Sequence, residues 1–556
     1  MIPPPRAVLA HVTGQAPALS GGAVHYSRLL DGELGQIDFY DSRRHLLAVP
    51  GSTLAQRVRS RAGALAQNGL GVGDRVVMVS ANTEDYLTTL LAVLLIGAVP
   101  CAVAPPPTPA RPDSAGVQHL RAALRVVNPA MVLADHRTAI AVDHPVLIEF
   151  EDISGGPVWP GPDRATPRPS DPHHIQLTSG STSAPKAVLL SHRNVAHNIA
   201  MIGHAIGARW GRDRVFSWLP MYHDMGFIQV LAALLYGSPI ALMTPLGFLR
   251  DPLSWPRHMT DHRSTITAGP TFAYRAAADA LGRAADTGSG IDLAALRYAY
   301  VGAEPITYST LRDFTDGFAA LGLPAEAVVP CYGMAESVLA TTLALKTAPQ
   351  GPGNFGRVRV VASREGSLVS CGSPIDGMAV SVVDSDGVDV PPGVVGDIRI
   401  SGASVMTGYQ QQDGSVSRPP DGWHDTGDRG FMCDGELFVV GRRKEMLIIR
   451  GRNLPPYDVE RTIAELPEVG LGQAVVFCVP DEDRDREAVV AVLATAVSDP
   501  DQRRQVRAAA ANRVREVFGF SLDDVVLVGR TAIPRTTSGK IRRLAVRELY
   551  VSDSLS

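Results

Sequence analysis

Between residues 53 and 105 the chain twice passes from a helical hydrophobic pattern to a short β-branched run closed by glycine or proline, and this alternation limits the possible folds most strongly. TLAQRVRSRAGALAQNGL is amphipathic and DRVVMVSA reads as a strand; Tyr86 to Ile96 is helical and AVPCAVAP is again a strand. Such a pattern predicts layered α/β structure with largely parallel sheets. The longest apolar run, YLTTLLAVLLIGAVPCAVAPPP, is broken by Gly97 and Pro100 before it could span a bilayer, so it is expected as a buried helix feeding a strand. Residues 377–402 read differently, as antiparallel strands joined by Asp-Gly and Pro-Pro-Gly turns. A third pattern begins near Lys444: a helix from Pro456, strands QAVVFCVP and AVVAVLAT, a helix through Arg503 to Phe518 and a strand DVVLVG. That is the content of a compact α+β domain.

The 556 residues exceed one ordinary core. With 45% hydrophobic and 19% charged residues the composition is that of a soluble globular protein, and a net charge of −4 without a massed basic block argues against nucleic acid as a partner. Five cysteines, Cys101, Cys331, Cys371, Cys433 and Cys478, have no CxxC spacing, which suits neither a disulfide framework nor a zinc site. The opening residues lack the basic and apolar regions of a signal peptide, and the expectation is a cytoplasmic protein without stable membrane insertion.

Chemistry concentrates first in QLTSGSTSAPKAVLLSHRN, residues 176–194, where small hydroxyl residues surround Gly180 and the run closes on Lys186. Small residues let backbone N–H groups approach an anion, and a lysine adds charge. A P-loop is excluded, because Gly180 stands alone and Lys186 is followed by Ala187. Downstream come SWLPMYHDMGF from Ser217, YVGAEPI from Tyr300, PCYGMAES from Pro330, HDTGDRGFM from His424, GRRKEMLIIRGRN from Gly441 and PRTTSGKIRR from Pro534. Together and in this order they resemble the adenylate-forming superfamily of acyl-CoA synthetases, nonribosomal-peptide adenylation domains and luciferases, and within it the fatty acyl-AMP ligases. The resemblance covers nearly the whole chain. It implies a large N-terminal adenylation domain over residues 1–443, built of layered α/β subdomains plus a β subdomain, and a small mobile α+β domain over residues 444–556.

The implied chemistry is attack of a carboxylate on the α-phosphate of ATP, with Mg²⁺ as cofactor. Its catalysis is mainly positioning and charge neutralisation. The resemblance assigns Thr178, Ser179, Gly180, Ser181, Thr182 and Lys186 to the β- and γ-phosphates, with Ser183 and Ala187 replacing customary glycines. Glu336 matches the Mg²⁺ carboxylate. Gly302, Ala303, Glu304, Pro305, Cys331, Tyr332, Gly333 and Met334 would enclose adenine, with Tyr332 stacking on it. Asp428 would take the ribose hydroxyls beside Arg442. His223 and Asp224 fall where the acyl pocket meets the carboxylate, and Thr271, Phe272 and Tyr274 are candidate tunnel walls. Lys540 matches the lysine that bridges carboxylate and α-phosphate, and Lys444 the hinge for a domain rotation between half reactions.

The acceptor is expected to be the phosphopantetheine of an acyl carrier protein. Ala335, LVSCG at residues 368–372 and a short insertion between Thr347 and Ser370 are the features shared with acyl-AMP ligases. A segment wedged between the domains would oppose the rotation that admits free CoA. Alternatives at this stage are a CoA ligase, release of the adenylate to a separate transferase, and an inactive nucleotide binder, against which Glu336 and Lys540 argue. Two further patterns read as structural first: His258 and His262 have helical metal-ligand spacing without the Glu of HExxH, and Arg503, Arg507 and Arg515 line one helix side, read as a solvated face with docking of an acidic carrier protein as the alternative.

Overall fold

A computed structural model describes residues 16–555 except 17, 33, 80, 107–113, 143, 145, 154–155, 160–166, 179–184, 209, 285–289, 364–365, 450–451, 471, 482–485, 531 and 536–540. Two large sheets carry most of the chain. In one, strands Arg75–Val79, Val99–Val103, Met131–Ala134 and Leu147–Glu149 run parallel, with Pro172–Thr178 continuing the parallel order and Lys186–Ser191 returning antiparallel. In the other, Ile37–Tyr40, Ile240–Met243, Val215–Ser217, Ile266–Pro270, Tyr298–Gly302 and Val328–Gly333 are parallel neighbours, flanked by antiparallel edges. This is the expected α/β architecture.

The apolar run beginning at Tyr86 forms the helix Glu84–Ile96, in which every residue from Tyr86 onward is buried. Thr83 caps it by accepting the Tyr86 N–H, and Gly97, at φ 85°, ends it and sends the chain into Val99–Val103. Its partner Gly51–Gln67 buries Leu54, Val58 and Leu65 in the same core, which fills the space between the sheets. Among the described residues no helix is long and apolar enough to cross a membrane.

The β subdomain is a four-stranded antiparallel sheet of Met378–Val383, Gly396–Gly402, His424–Cys433 and Glu436–Arg442. The smaller C-terminal domain is a three-stranded sheet, Ala474–Asp481, Arg486–Ala494 and Asp524–Val528, with apolar clusters on both faces. One face receives Val459 and Ile463 from the helix Pro456–Ile463 and Val506, Ala510 and Val514 from Pro500–Phe518; the other receives Val546 from Arg543–Val551. The arginine face of Pro500–Phe518 is partly structural. Arg503 donates to the Val497 and Leu527 carbonyls at 3.1 and 2.8 Å, and Arg507 to Val525 at 3.1 Å, so both guanidinium groups hold the edge strand of their own sheet.

Candidate active site

Thr178 and Lys186, the described members of the expected phosphate loop, are placed by a pair of antiparallel strands. Strand Pro172–Thr178 pairs antiparallel with Lys186–Ser191, and Thr178 stands opposite Lys186. Residues 179–185 join them, and of these Ser179, Gly180, Ser181 and Thr182 lie outside the described residues. The next strand out, Gly408–Gln410, pairs Tyr409 with Val188. The Lys186 ammonium sits 4.8 Å from the centre of the Tyr409 ring, a cation–π contact. On the other side the Tyr409 hydroxyl donates to Glu336 Oε1 at 2.8 Å. Burial first, then the Glu336 carboxylate, pushes the Tyr409 phenol well up, so it stays protonated and keeps donating. Tyr409 thus joins the expected phosphate lysine to the expected metal carboxylate. Sequence reasoning passed over it, because MTGYQQ carries no catalytic pattern and only sheet register brings the ring beside Lys186.

Glu336 rides on a one-turn 3-10 helix, Ala335–Ser337, directly after strand Val328–Gly333. Two backbone features fix the turn. Val338 has φ 70° and ψ −60°, with the Leu339 N–H returning to the Ser337 carbonyl at 2.9 Å, a γ-turn that is costly for a β-branched residue. At Gly333 a Cβ would lie 1.7 Å from the Leu339 carbonyl oxygen, so only glycine fits. The Met406 N–H donates to the Glu336 carbonyl at 2.8 Å and ties the turn to the chain leading into Tyr409. One carboxylate oxygen of Glu336 is oriented by Tyr409, while the side chain is only half-buried. An oriented, accessible carboxylate fits a hard divalent cation.

The expected nucleoside residues converge from three strands. Tyr332 donates its hydroxyl to Asp428 Oδ2 at 2.8 Å. Arg442 Nε is 3.4 Å from Asp428 Oδ1, the two residues facing each other across the pair His424–Cys433 and Glu436–Arg442. Burial, then Asp428, raises the Tyr332 phenol well above its ordinary range, so it too remains a donor. Opposite, the chain leaves strand Tyr298–Gly302 through Ala303 at φ 66°, an uncommon backbone for a non-glycine residue, and exposes Ala303 and Pro305. A Cβ on Gly302 would lie 2.9 Å from Cys331 Sγ, so glycine permits the close approach of strands Tyr298–Gly302 and Val328–Gly333, which carry the residues expected at adenine. Cys331 Sγ donates to the Val301 carbonyl at 3.2 Å, and burial raises its thiol, which makes it structural rather than nucleophilic. Met334 lies half-buried between Gly333 and the Glu336 turn.

Glu304 points the other way, accepting the Phe272 N–H at 2.6 Å, so the loop Gly302–Pro305 is bound to the start of helix Thr271–Arg283. That helix carries the expected acyl-wall residues. Phe272 is half-buried, with its ring centre 6.3 Å from that of Trp218; Trp218 stacks on Phe248 at 3.9 Å. Thr271 is buried. Tyr274 is fully enclosed against Trp255 and Phe314 and donates its hydroxyl to the Tyr300 carbonyl at 2.8 Å, so it backs the wall rather than facing a channel.

His223 stands at the N-terminus of helix Asp224–Leu235, its ring 4.6 Å from that of Tyr222, and Asp224 Oδ1 accepts the Met225 N–H at 2.7 Å. Gln176 donates to the Tyr222 carbonyl at 2.7 Å, which ties this pair to the strand bearing Thr178. The spaced histidines are occupied structurally: His258 Nε2 donates to the Asp41 carbonyl at 2.8 Å and His262 Nδ1 bonds Ser264 at 3.0 Å.

Lys444 is exposed on the short turn Arg443–Glu445 that follows strand Glu436–Arg442, while Arg443 pairs with Asp397 and Asp425 at 2.7 and 2.8 Å. Lys540 lies outside the described residues, but its flanks do not. Arg543 holds Glu460 at 2.9 Å and also pairs with Glu445, next to Lys444. On the N-terminal side, burial lowers the Arg535 pKa while the Glu304 carboxylate opposes that shift across the domains.

Residues 51–410 match the family model described as AMP-binding enzyme. The long-chain-fatty-acid–AMP ligase FadD26 of Mycobacterium tuberculosis is 33% identical, covering 86% of this chain and 88% of that protein. FadD26 of Mycobacterium marinum is 32% identical over 87% of this chain and 88% of its own length. Among solved structures, one from a study of fatty acyl-adenylate ligases of E. coli and L. pneumophila superposes with a TM-score of 0.84 at 28% identity, covering 95% of this chain and 98% of that one. The adenylation, ketoreductase and pseudo Asub structure of a keto acid-selecting nonribosomal peptide synthetase module gives 0.86 at 25% identity, over 98% of this chain and 46% of that one. The cluster Tyr332, Asp428 and Arg442 and the oriented Glu336 carboxylate beside Tyr409 and Lys186 agree with these likenesses, and the chain belongs to the AMP-binding enzyme family as a fatty acyl-AMP ligase.

Proposed function

We propose that the chain activates a fatty or polyketide-like carboxylic acid with ATP and passes the acyl group to the phosphopantetheine thiol of a carrier protein. The observation that carries this reading is the line Lys186, Tyr409, Glu336 beside the cluster Tyr332, Asp428, Arg442: a cation and an oriented carboxylate adjoin a nucleoside-sized polar group. In the first step a carboxylate oxygen bonds to the α-phosphorus while the bond to the β-phosphate oxygen breaks, releasing pyrophosphate. Asp428 holds the ribose, Tyr332 and the Gly302–Pro305 backbone hold the base, and Thr178, Ser179, Gly180, Ser181, Thr182 and Lys186 take the departing phosphates. Bound Mg²⁺, held by Glu336, would neutralise charge on those phosphates. Lys540 draws the carboxylate to the phosphorus, and His223 with Asp224 lines the carboxylate end of the acyl site, with Thr271 and Phe272 beyond and Tyr274 behind them. In the second step the thiol attacks the acyl carbonyl and AMP leaves, after the domain of residues 444–556 turns about Lys444 against residues 1–443.

The named FadD26 relatives support an adenylate product, and the insertion supports a protein acceptor. It folds as the hairpin Val360–Ser363 and Gly366–Val369. Among the described residues its polar partners lie in the large domain: Arg359 pairs with Asp434 and Glu436 at 2.5 and 3.3 Å, and Arg357 lies over the Tyr298 ring at 4.9 Å. The insertion therefore acts by bulk and support rather than as a tether to the small domain. Pyrophosphate release screened against diverse carboxylic acids tests the first step, with release expected for a subset of lipidic acids. Absence of release with every acid, or efficient acyl-CoA formation from free CoA, rejects the corresponding half of the reading.

A further inference from the structure

Among the described residues, a part-buried hydrogen bond joins the small domain to the chain that follows the expected adenine wall. Thr307 is buried, follows Pro305 by two residues and occupies the N-cap of helix Tyr308–Ala319. Its hydroxyl makes no cap hydrogen bond to that helix, although capping is the ordinary use of a threonine there. Instead Thr307 Oγ1 and the Tyr457 hydroxyl share a hydrogen bond of 2.5 Å across 150 residues of sequence. Tyr457 is the second residue of helix Pro456–Ile463 in the small domain. One turn further along, Glu460 holds Arg543 at 2.9 Å and also accepts the Val476 N–H at 2.8 Å. Arg543 stands three residues after Lys540, and its second contact is to Glu445 at the hinge. An unbroken path of hydrogen bonds and one rigid helix therefore runs from the adenine wall through Thr307, Tyr457 and Glu460 to Arg543.

We propose that Tyr457 is a positioning residue: its hydrogen bond to Thr307 latches the small domain in the arrangement that presents the Lys540 segment to the adenylate site. This rests on the two-step reading above. In this arrangement Glu304, three residues before Thr307, also acts on Arg535 of the small domain. Rotation of the small domain about Lys444 must break the Tyr457–Thr307 bond. A bond present in only one of two arrangements biases their equilibrium by its own strength, about tenfold at most for a neutral pair.

Tyr457→Phe keeps the ring and removes only the hydroxyl, and Thr307→Val is the matching change on the other side. Each is expected to slow acyl-AMP formation by roughly three- to tenfold, with little change in KM for ATP, while thioester formation from preformed acyl-AMP is unchanged or faster. The double variant should lose no more than either single one. Trypsin cleavage at Arg443 and Lys444 in the full-length protein with ATP should rise in both variants, a readout that does not depend on turnover. Equal slowing of both half reactions, or wild-type adenylation together with wild-type cleavage, overturns the latch. Failure of the unaltered enzyme to release pyrophosphate with any acid would reject the two-step reading itself, and unchanged cleavage in the variants would then reject the latch separately.

Discussion

At the scale of single residues the two lysines have separate surroundings and should separate in kinetics. Lys444 is exposed on a turn, whereas the flanks of Lys540 are drawn toward Glu304 and the hinge. Lys540→Ala should lower acyl-AMP formation by about a hundredfold or more, the scale of one lost transition-state donor. Lys444→Ala should still form the adenylate and lose acyl transfer; equal loss of adenylation in both variants would reject the division of roles. Glu336→Gln should raise the Mg²⁺ concentration needed for half-maximal rate, because an amide is a poor ligand for a hard cation. Tyr409→Phe should raise it too, by a smaller factor of about two to ten, since it frees one carboxylate oxygen without removing it. A Mg²⁺ titration of Tyr409→Phe that overlays the unaltered enzyme would show that the 2.8 Å contact to Glu336 does not orient the metal carboxylate.

At the scale of elements, strand Pro172–Thr178 and helix His192–Ala205 bury three imidazoles at the end of the strand pair opposite Thr178 and Lys186. His173 Nδ1 and His174 Nδ1 are 2.8 Å apart, the Tyr26 hydroxyl is 2.7 Å from His173 Nε2, and the His192 ring lies 4.9 Å from that of His173. Burial is the first cause that lowers all three, His174 to about 3 and His192 to about 4, with neighbouring imidazoles adding to it and Asp171 opposing it at His192. Folded imidazoles that bind protons more weakly than unfolded ones leave stability intact above the unfolded value near 6.5 and forfeit it as the pH falls toward 4. Between pH 7 and pH 5 His192 alone should cost about 2 kcal/mol. His192→Asn should flatten the acid side of the large domain's unfolding profile by about that amount; an unchanged slope would show that His192 is not buried neutral. These elements were legible in sequence, because a strand, a hydroxyl-rich loop and a capped helix each announce themselves locally. In the structure Ser191 caps helix His192–Ala205, accepting the Asn194 N–H. What could not be read locally is register: nothing in MTGYQQ says that Gly408–Gln410 will lie beside Lys186–Ser191, or that the chain at the γ-turn of Val338 will bring the Leu339 carbonyl so close to Gly333 that only glycine fits there. The Tyr457–Thr307 contact is hidden for the same reason, since it exists only after two separately folded units meet.

At the scale of the whole molecule, choice of acceptor is a question of what resists rotation of the small domain. The insertion does not grip that domain through its described polar contacts; it supports the place where the latch sits. Phe355 packs its ring 6.2 Å from that of Tyr308, which follows Thr307 directly, and Arg312 of the same helix lies 5.6 Å over Phe355. Gly356 runs so close to the turn Ala325–Ala327 that a Cβ would lie 2.3 Å from the Ala325 carbonyl, and Val358 is fully buried in the aromatic core. The segment therefore stiffens the N-terminal end of helix Tyr308–Ala319 from below while Tyr457 holds it from above. A carrier protein can offset the breaking of that contact with surface interactions that free CoA lacks. With preformed acyl-AMP, the unaltered enzyme should load a cognate phosphopantetheinylated carrier well and saturating CoA poorly, as followed by mass spectrometry of the thioesters. Removing residues 350–356, which takes away Phe355, should raise the acyl-CoA yield several-fold, and Tyr457→Phe should raise it in the same direction because both changes weaken one contact region. Applied together they should give less than the product of their separate effects. Full multiplicative gains would mean that insertion and latch act independently, and a trimmed enzyme that still refuses CoA would detach acceptor choice from the insertion altogether.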